Sequence, residues 1–186
     1  MDELIEKVHR FLGEGPLYEH SLAVANTAQE LAKKYGENPS KAFVAGLFHD
    51  VGGIIPVEKR IKVAEISGIN LLPEELEAPM LIHQKISQFL TRWKFGIFND
   101  EILSAIGCHT TLKAQFSKLD LIVFLADKIS WDGGDNAPFK AGLLEHLQVS
   151  PESAALYYID FILDHGVQVV HPWLKNAKSE LEKQVK

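Results

Sequence analysis

The chain has 186 residues, 46% of them hydrophobic and 24% charged, with a formal net charge of −6. That length suits one domain with its own core, and the composition excludes a disordered chain, a collagen-like fibre and a membrane protein, since no apolar run approaches the roughly 20 residues needed to span a bilayer. The acidic balance offers no basic footprint for nucleic acid, and the single cysteine, Cys108, excludes an internal disulfide.

The first element is a helix over residues 2–12, with Leu4, Val8, Phe11 and Leu12 on one stripe, broken by Gly13, Gly15 and Pro16. Residues 17–35 form the clearest amphipathic helix, ending at Gly36. Asn38-Pro39 starts the next, with Pro39 at the favoured first position, and Gly52-Gly53 stop it. A helix over 56–66 closes near Gly68, Pro73 opens a short acidic turn, and a longer helix runs from about Pro79 to Lys94. Asn99 caps a helix to about Thr111. Ser117 and Asp120 make a capping box for a helix over 118–130. Trp131 to Pro138, WDGGDNAP, is a loop, whose Gly133-Gly134 pair carries little weight as a phosphate cradle. Helices follow near 139–147, 151–164 and 172–184. With no strand alternation and no repeat, the expectation is an all-α bundle of about eight or nine helices in a single domain spanning 1–186. The acidic start MDELIEKVHR, which lacks a signal-peptide core, and the lone cysteine point to the cytoplasm.

The eight histidines are not randomly placed. His20 continues through Val24, Thr27 and Leu31 at helical spacing; His83 sits on the stripe Met80, His83, Ile86, Leu90; His109 on Ile102, Ala105, Ile106, His109. One such histidine alone reads as a core residue bonded to a backbone carbonyl. Three in one small domain, with two aspartates in unfavourable places, favour another reading. Asp50 ends its helix after AFVAGLFH, and Asp127 lies in the last turn after LIVFLA, where the helix dipole is negative and burial is costly. A bound cation removes both penalties; a salt bridge from Lys128 or another lysine is the alternative. Imidazole with carboxylate suits Fe, Mn, Zn or Co, and convergence of such ligands from separate helices is a common way to build a metal site. His9 and His146 read as boundary residues, His165 as a C-terminal cap, Cys108 as a buried filler, and Trp93 and Phe95 as core.

The segments HSLAVANTAQELAKKYG, KAFVAGLFHD, IGCHTT, DLIVFLADKI and VVHPW, in that order, resemble the HD-domain superfamily of metal-dependent phosphohydrolases. Within it they are most similar to the YqeK-like branch, the bacterial symmetrical bis(5'-nucleosyl)-tetraphosphatases. The resemblance covers residues 9 to 177 and implies an all-α fold, a bound iron-type metal and cleavage of diadenosine tetraphosphate into two ADP. It implies His20, His49, Asp50 and Asp127 as metal ligands, with His83 and His109 holding substrate phosphate or a second metal. It also implies Thr110 and the stretch His171, Pro172, Trp173 as nucleotide contacts. Three positions depart from the family pattern: Gly53 in place of a lysine, Leu112 in place of a glycine, and Ser130-Trp131 in place of Glu-Pro. All three are expected around the substrate rather than the metal.

The expected chemistry is attack by a metal-bound hydroxide, the metal lowering the pKa of its water toward about 7. His83 and His109 offset polyphosphate charge, and Asp50 or Asp127 ligates the metal with one oxygen and orients the water with the other. Iron is the first expectation, with Mn, Co or Zn as alternatives. The protein is expected to be a monomer or homodimer that binds a small-molecule nucleotide and neither nucleic acid nor membrane. The competing readings are another HD nucleotidase or phosphodiesterase, and a metal-containing nucleotide sensor with little turnover.

Overall fold

A computed structural model describes residues 1–131 and 137–185, so Gly133-Gly134 lies outside the described residues. The described chain is all-α, with no strands and with eleven α-helices: α1 (Asp2–Leu12), α2 (Pro16–Tyr35), α3 (Pro39–Phe48), α4 (Val57–Ile66), α5 (Pro73–Glu77), α6 (His83–Trp93), α7 (Asp100–Cys108), α8 (Lys118–Ile129), α9 (Lys140–His146), α10 (Pro151–Asp164) and α11 (Pro172–Gln184). Short helices account for the excess over eight or nine: α5 has five residues and α9 seven. Two 3-10 turns, Val51–Ile54 and Pro79–Ile82, interrupt longer expected spans. None of the described helices is long and apolar enough to cross a membrane.

The punctuation works as the residue types require. The Asn38 side chain accepts the N–H groups of Ser40 and Lys41, starting α3. Gly36 ends α2 at φ 70°, a left-handed value that glycine adopts without steric cost. The capping box of α8 is complete: Asp120 N–H donates to Ser117 Oγ and Ser117 N–H to Asp120 Oδ2. Every residue of α8 from Leu119 to Lys128 is buried, which makes α8 the central helix, with α2, α3, α7 and α10 around it. At Gly46 a Cβ would lie 2.8 Å from Ala25 Cα, so the α2–α3 contact excludes any larger residue. This close approach brings His49, just past α3, beside His20 on α2.

Two expectations change here. Trp93, read as core, is 65% exposed and stacks edge-on against the equally open Phe98. Met80 is also exposed, because Pro79–Ile82 forms a 3-10 turn and does not continue the α6 stripe. Phe95 does pack on the core, edge-on to Phe11 and Phe48.

Candidate metal centre and active site

Three histidines stand at helix ends and share one device. Nδ1 of His49 lies 2.7 Å from the Gly46 carbonyl, Nδ1 of His83 lies 2.6 Å from that of Met80, and Nδ1 of His109 lies 2.8 Å from that of Ile106. A carbonyl only accepts, so each Nδ1 carries the proton and donates it. Each Nε2 therefore presents a lone pair. This is the arrangement in which metal-binding histidines are held, the second ring nitrogen anchored to the backbone.

The presented nitrogens converge. His20 Nε2 lies 3.0 Å from Asp127 Oδ1 and 3.3 Å from His49 Nε2, and His49 Nε2 lies 3.6 Å from the same oxygen. His83 Nε2 lies 3.1 Å from His109 Nε2 and 3.6 Å from Asp50 Oδ1. These make two triplets, His20–His49–Asp127 and Asp50–His83–His109, each with its donor atoms within 4.8 Å of one another. The His49 and His109 rings, centroids 4.7 Å apart, join the triplets edge to face. Of the four expected metal ligands, Asp50 thus groups with the two histidines expected to meet phosphate.

The donor set fits a transition-metal ion. It offers imidazole nitrogens and carboxylate oxygens from separate helices, and Asp50 Oδ1 is buried with no hydrogen-bond partner among the described residues. A buried carboxylate oxygen without a partner is costly, and a cation supplies one. The salt-bridge alternative for Asp127 is realised as well: Lys128 Nζ donates to its Oδ2 at 2.5 Å, leaving Oδ1 to the histidines.

Burial sets the charge states. It pushes His83 below the ordinary imidazole value, although Asp50 opposes this. It pushes His109 much further down, helped by His49 and His83 alongside. Burial thus favours the neutral form of both imidazoles. Burial pushes the Asp127 carboxyl up, but Lys128 and the His20 and His49 contacts outweigh it and hold the group well below the carboxylate range. Cys108 is buried and its thiol is pushed far up, consistent with a filler and not a nucleophile.

Both triplets line a cavity of about 450 Å³, together with Thr110, Lys128 and His171. The lining also includes Trp131, Tyr158, Ile162 and Leu174. Thr110 Oγ1 donates to His83 Nε2 at 3.1 Å. The late His-Pro-Trp stretch divides. His171 lines the cavity, but its ring caps α11 by accepting the Trp173 N–H and also meets Glu75 Oε1 at 3.3 Å. Trp173 lines a different groove beside Lys85, and Pro172 lines neither. The departures from the family pattern are not confined to the substrate side: a Cβ at Gly53 would lie 2.9 Å from Asp50 Oδ1.

Two supporting residues went unread. Buried Gln84 accepts the Thr110 N–H and donates to Thr111 Oγ1, fixing the turn after His109. Buried Arg60 donates to the Met80 carbonyl, the acceptor that also aligns His83. Neither residue lies on a stripe that the sequence analysis identified.

Residues 17–132 match the family model described as HD domain. A protein of Lactococcus lactis subsp. cremoris, called "Uncharacterized protein in pepC 5'region", is 63% identical over 146 residues, 78% of this chain and 75% of that one. The symmetrical bis(5'-nucleosyl)-tetraphosphatase of Bacillus subtilis is 33% identical over 114 residues, 60% of each chain. A crystal structure from Clostridium acetobutylicum, described as a predicted HD superfamily hydrolase involved in NAD metabolism, superposes with a TM-score of 0.86 at 30% identity, covering 98% of this chain and 97% of that one.

Proposed function

The chain belongs to the HD-domain family, a family of hydrolases, and on that premise we propose that it cleaves dinucleoside tetraphosphates of the diadenosine type symmetrically into two nucleoside diphosphates. The observation that carries this reading is the mixed lining of the cavity: two adjacent donor triplets and a set of aromatic and aliphatic side chains. A long polyanion ending in bases matches both parts of that lining; a simple phosphate ester uses only the first.

A transition metal held by His20, His49 and Asp127, with iron first and Mn, Co or Zn as alternatives, supplies a Lewis acid and lowers the pKa of water from about 16 toward about 7. Asp50, with one oxygen unpartnered, can orient a water or hold a second ion with His83 and His109. His83 and His109 present their Nε2 lone pairs to such an ion or to a hydrogen-bond donor, since Nδ1 is already anchored. Thr110 can turn its hydroxyl from His83 to a phosphate oxygen. Lys128, the sole lysine or arginine among the described cavity-lining residues, has its ammonium committed to Asp127 and to the His109 carbonyl. Trp131 and Tyr158 offer ring faces to a base.

The test is product analysis. Metal-loaded protein is incubated with diadenosine tetraphosphate in water enriched in heavy oxygen, and the products are weighed by mass spectrometry. Two molecules of ADP, one carrying the label, are expected. AMP with ATP would refute symmetrical cleavage, and tight ADP binding without cleavage would show a sensor.

A further inference from the structure

Lys128 lies 4% exposed in the last turn of α8, one residue from Asp127. A buried ammonium loses its water and is rare without a paired role. Residues adjacent in a helix do not ordinarily face each other. Here the Lys128 chain turns back so that Nζ donates to Asp127 Oδ2 at 2.5 Å. The same Nζ donates at 3.1 Å to the carbonyl oxygen of His109, at the end of α7. Its position is confined by the rings of Phe124 and Tyr158, whose centroids lie 5.0 and 5.7 Å from Nζ.

Two consequences follow from that placement. With Oδ2 held, Asp127 turns only Oδ1 toward His20 and His49. With the His109 carbonyl held, the end of α7 is tied to α8, and His109 belongs to the second triplet. One ammonium thus touches a donor residue of each triplet. Packing alone gives no account of this, because methionine fills a similar volume without burying a charge.

We propose that Lys128 is a positioning residue of the metal centre, fixing Asp127 as a one-oxygen ligand and setting the spacing between the two triplets. The proposal rests on reading the triplets as a metal site. Its test uses cobalt(II) as the probe, loaded into the full-length wild type, Lys128→Met and Lys128→Arg. Visible absorption bands are recorded beside kcat and KM for diadenosine tetraphosphate. Lys128→Met is expected to bind cobalt with displaced bands, because Oδ2 is released to join the coordination. Its kcat is expected to fall about tenfold or more, as ångström-scale misplacement in an active site can cost about 100-fold, while KM changes less than about threefold. Lys128→Arg, which keeps charge and donors, is expected to restore the bands. Bands and kcat of Lys128→Met that superimpose on wild type would overturn the proposal while leaving the metal site standing. A wild type that takes up no cobalt would overturn the metal reading and this proposal with it. Should Lys128→Met not fold, Lys128→Gln is read instead: its shorter side chain does not reach Asp127 and His109 together, so displaced bands are again expected and unchanged bands overturn the idea.

Discussion

Nε2 of His83 stands 3.1 Å from Nε2 of His109, and each ring has already committed its Nδ1 proton to a carbonyl of its own turn. Two lone pairs are therefore aimed at each other inside the protein. The Thr110 hydroxyl offers one proton to His83, which leaves the His109 nitrogen facing an acceptor. That arrangement is held by the rigid turns around it and is relieved by a cation.

Metal should therefore stabilise the fold. A ligand that binds only the folded state adds about 2.7 kcal/mol at 100 times its Kd, so titration with Mn, Co or Fe(II) is expected to raise Tm and a chelator to reverse the rise. His20→Ala and Asp127→Ala should lose most of this response and most of the bound metal. His9→Ala should not, since its ring packs on Tyr18, outside the cavity lining. Equal metal retention in His9→Ala and His20→Ala would remove the metal assignment.

Trp131 is half exposed on the cavity rim. If its ring stacks on a base, Trp131→Ala forfeits about 1–3 kcal/mol of stacking. The expected result is a KM for diadenosine tetraphosphate raised about tenfold, with kcat little changed and metal content intact. Inorganic tripolyphosphate, which has no base, should bind both proteins equally. A KM unaltered by the substitution would place the base elsewhere.

Much of this site was legible from the chain. The stripe beneath His20 and the apolar run before Asp127 are local patterns, and local patterns survive into the fold. The capping box of Ser117 and Asp120 belongs to the same class. What was not legible is pairing at long range. Nothing in the order of residues says that Asp50 joins His83 and His109 while Asp127 joins His20 and His49, because loop paths decide that. The role of His171 is hidden for the same reason: its partner Glu75 is 96 positions away. Trp93 was misread because a large aromatic at the end of a helix looks like core, whereas here the helix stops and the ring turns outward to Phe98.

Glu75 supplies a pH prediction. Its side chain is fully buried, Oε2 accepting from the Leu72 N–H and from Lys85 Nζ while Oε1 meets His171. Burial raises its pKa, but the bonds from His171, Lys85 and the Leu72 N–H outweigh that and hold it below the ordinary 4.5. A folded-state value below the unfolded one means the unfolded chain protonates first. The stabilisation is thus fully present above pH of about 4.5 and is lost as pH falls through the folded value. Glu75→Gln is expected to cost about 1.5–3 kcal/mol at pH 7 and clearly less at acid pH. Urea unfolding at pH 7 and at about pH 3.5 reads both, and a deficit that does not shrink in acid would exclude Glu75 as a source of acid sensitivity.

Leu112 is fully buried yet has φ 55°, the left-handed region that disfavours side chains by about 1–2 kcal/mol. Its N–H donates to the Cys108 carbonyl at 2.7 Å, and Thr111 Oγ1 donates to its own carbonyl, which hold the conformation. Truncation to alanine removes core contacts worth about 2–5 kcal/mol and keeps the strain. Truncation to glycine removes slightly more and releases the strain. Leu112→Gly is therefore expected to be no less stable than Leu112→Ala, the reverse of the order in helices, where glycine is worse by about 1 kcal/mol. Chemical denaturation of the two variants decides it: a glycine variant less stable by that margin would show that the backbone relaxes out of the left-handed region.

The neighbouring glycines Gly52 and Gly53 should respond in opposite ways to one added methyl group. At Gly52 a Cβ would lie 2.6 Å from the His83 carbonyl oxygen and 2.7 Å from the Ser87 nitrogen, both backbone atoms of packed elements. The chain must shift, and the Gly52 N–H bond to Ser87 Oγ goes with it. Gly52→Ala is expected to lose about 1–3 kcal/mol or more of stability. At Gly53 the obstacle is the Asp50 carboxylate, with Oδ1 at 2.9 Å and Cγ at 3.1 Å, the free end of a short side chain. It can swing aside at small cost, so Gly53→Ala should change stability by less than about 1 kcal/mol. The swing turns Oδ1 from His83, 3.6 Å away, and dismantles the second triplet while leaving His20, His49 and Asp127 in place. Displacement on that scale can cost about 100-fold in rate. Gly53→Ala should therefore keep its Tm and its metal at the first triplet, yet lose most of its kcat. Full activity in a well-folded Gly53→Ala protein would mean that Asp50 takes no part in the reaction.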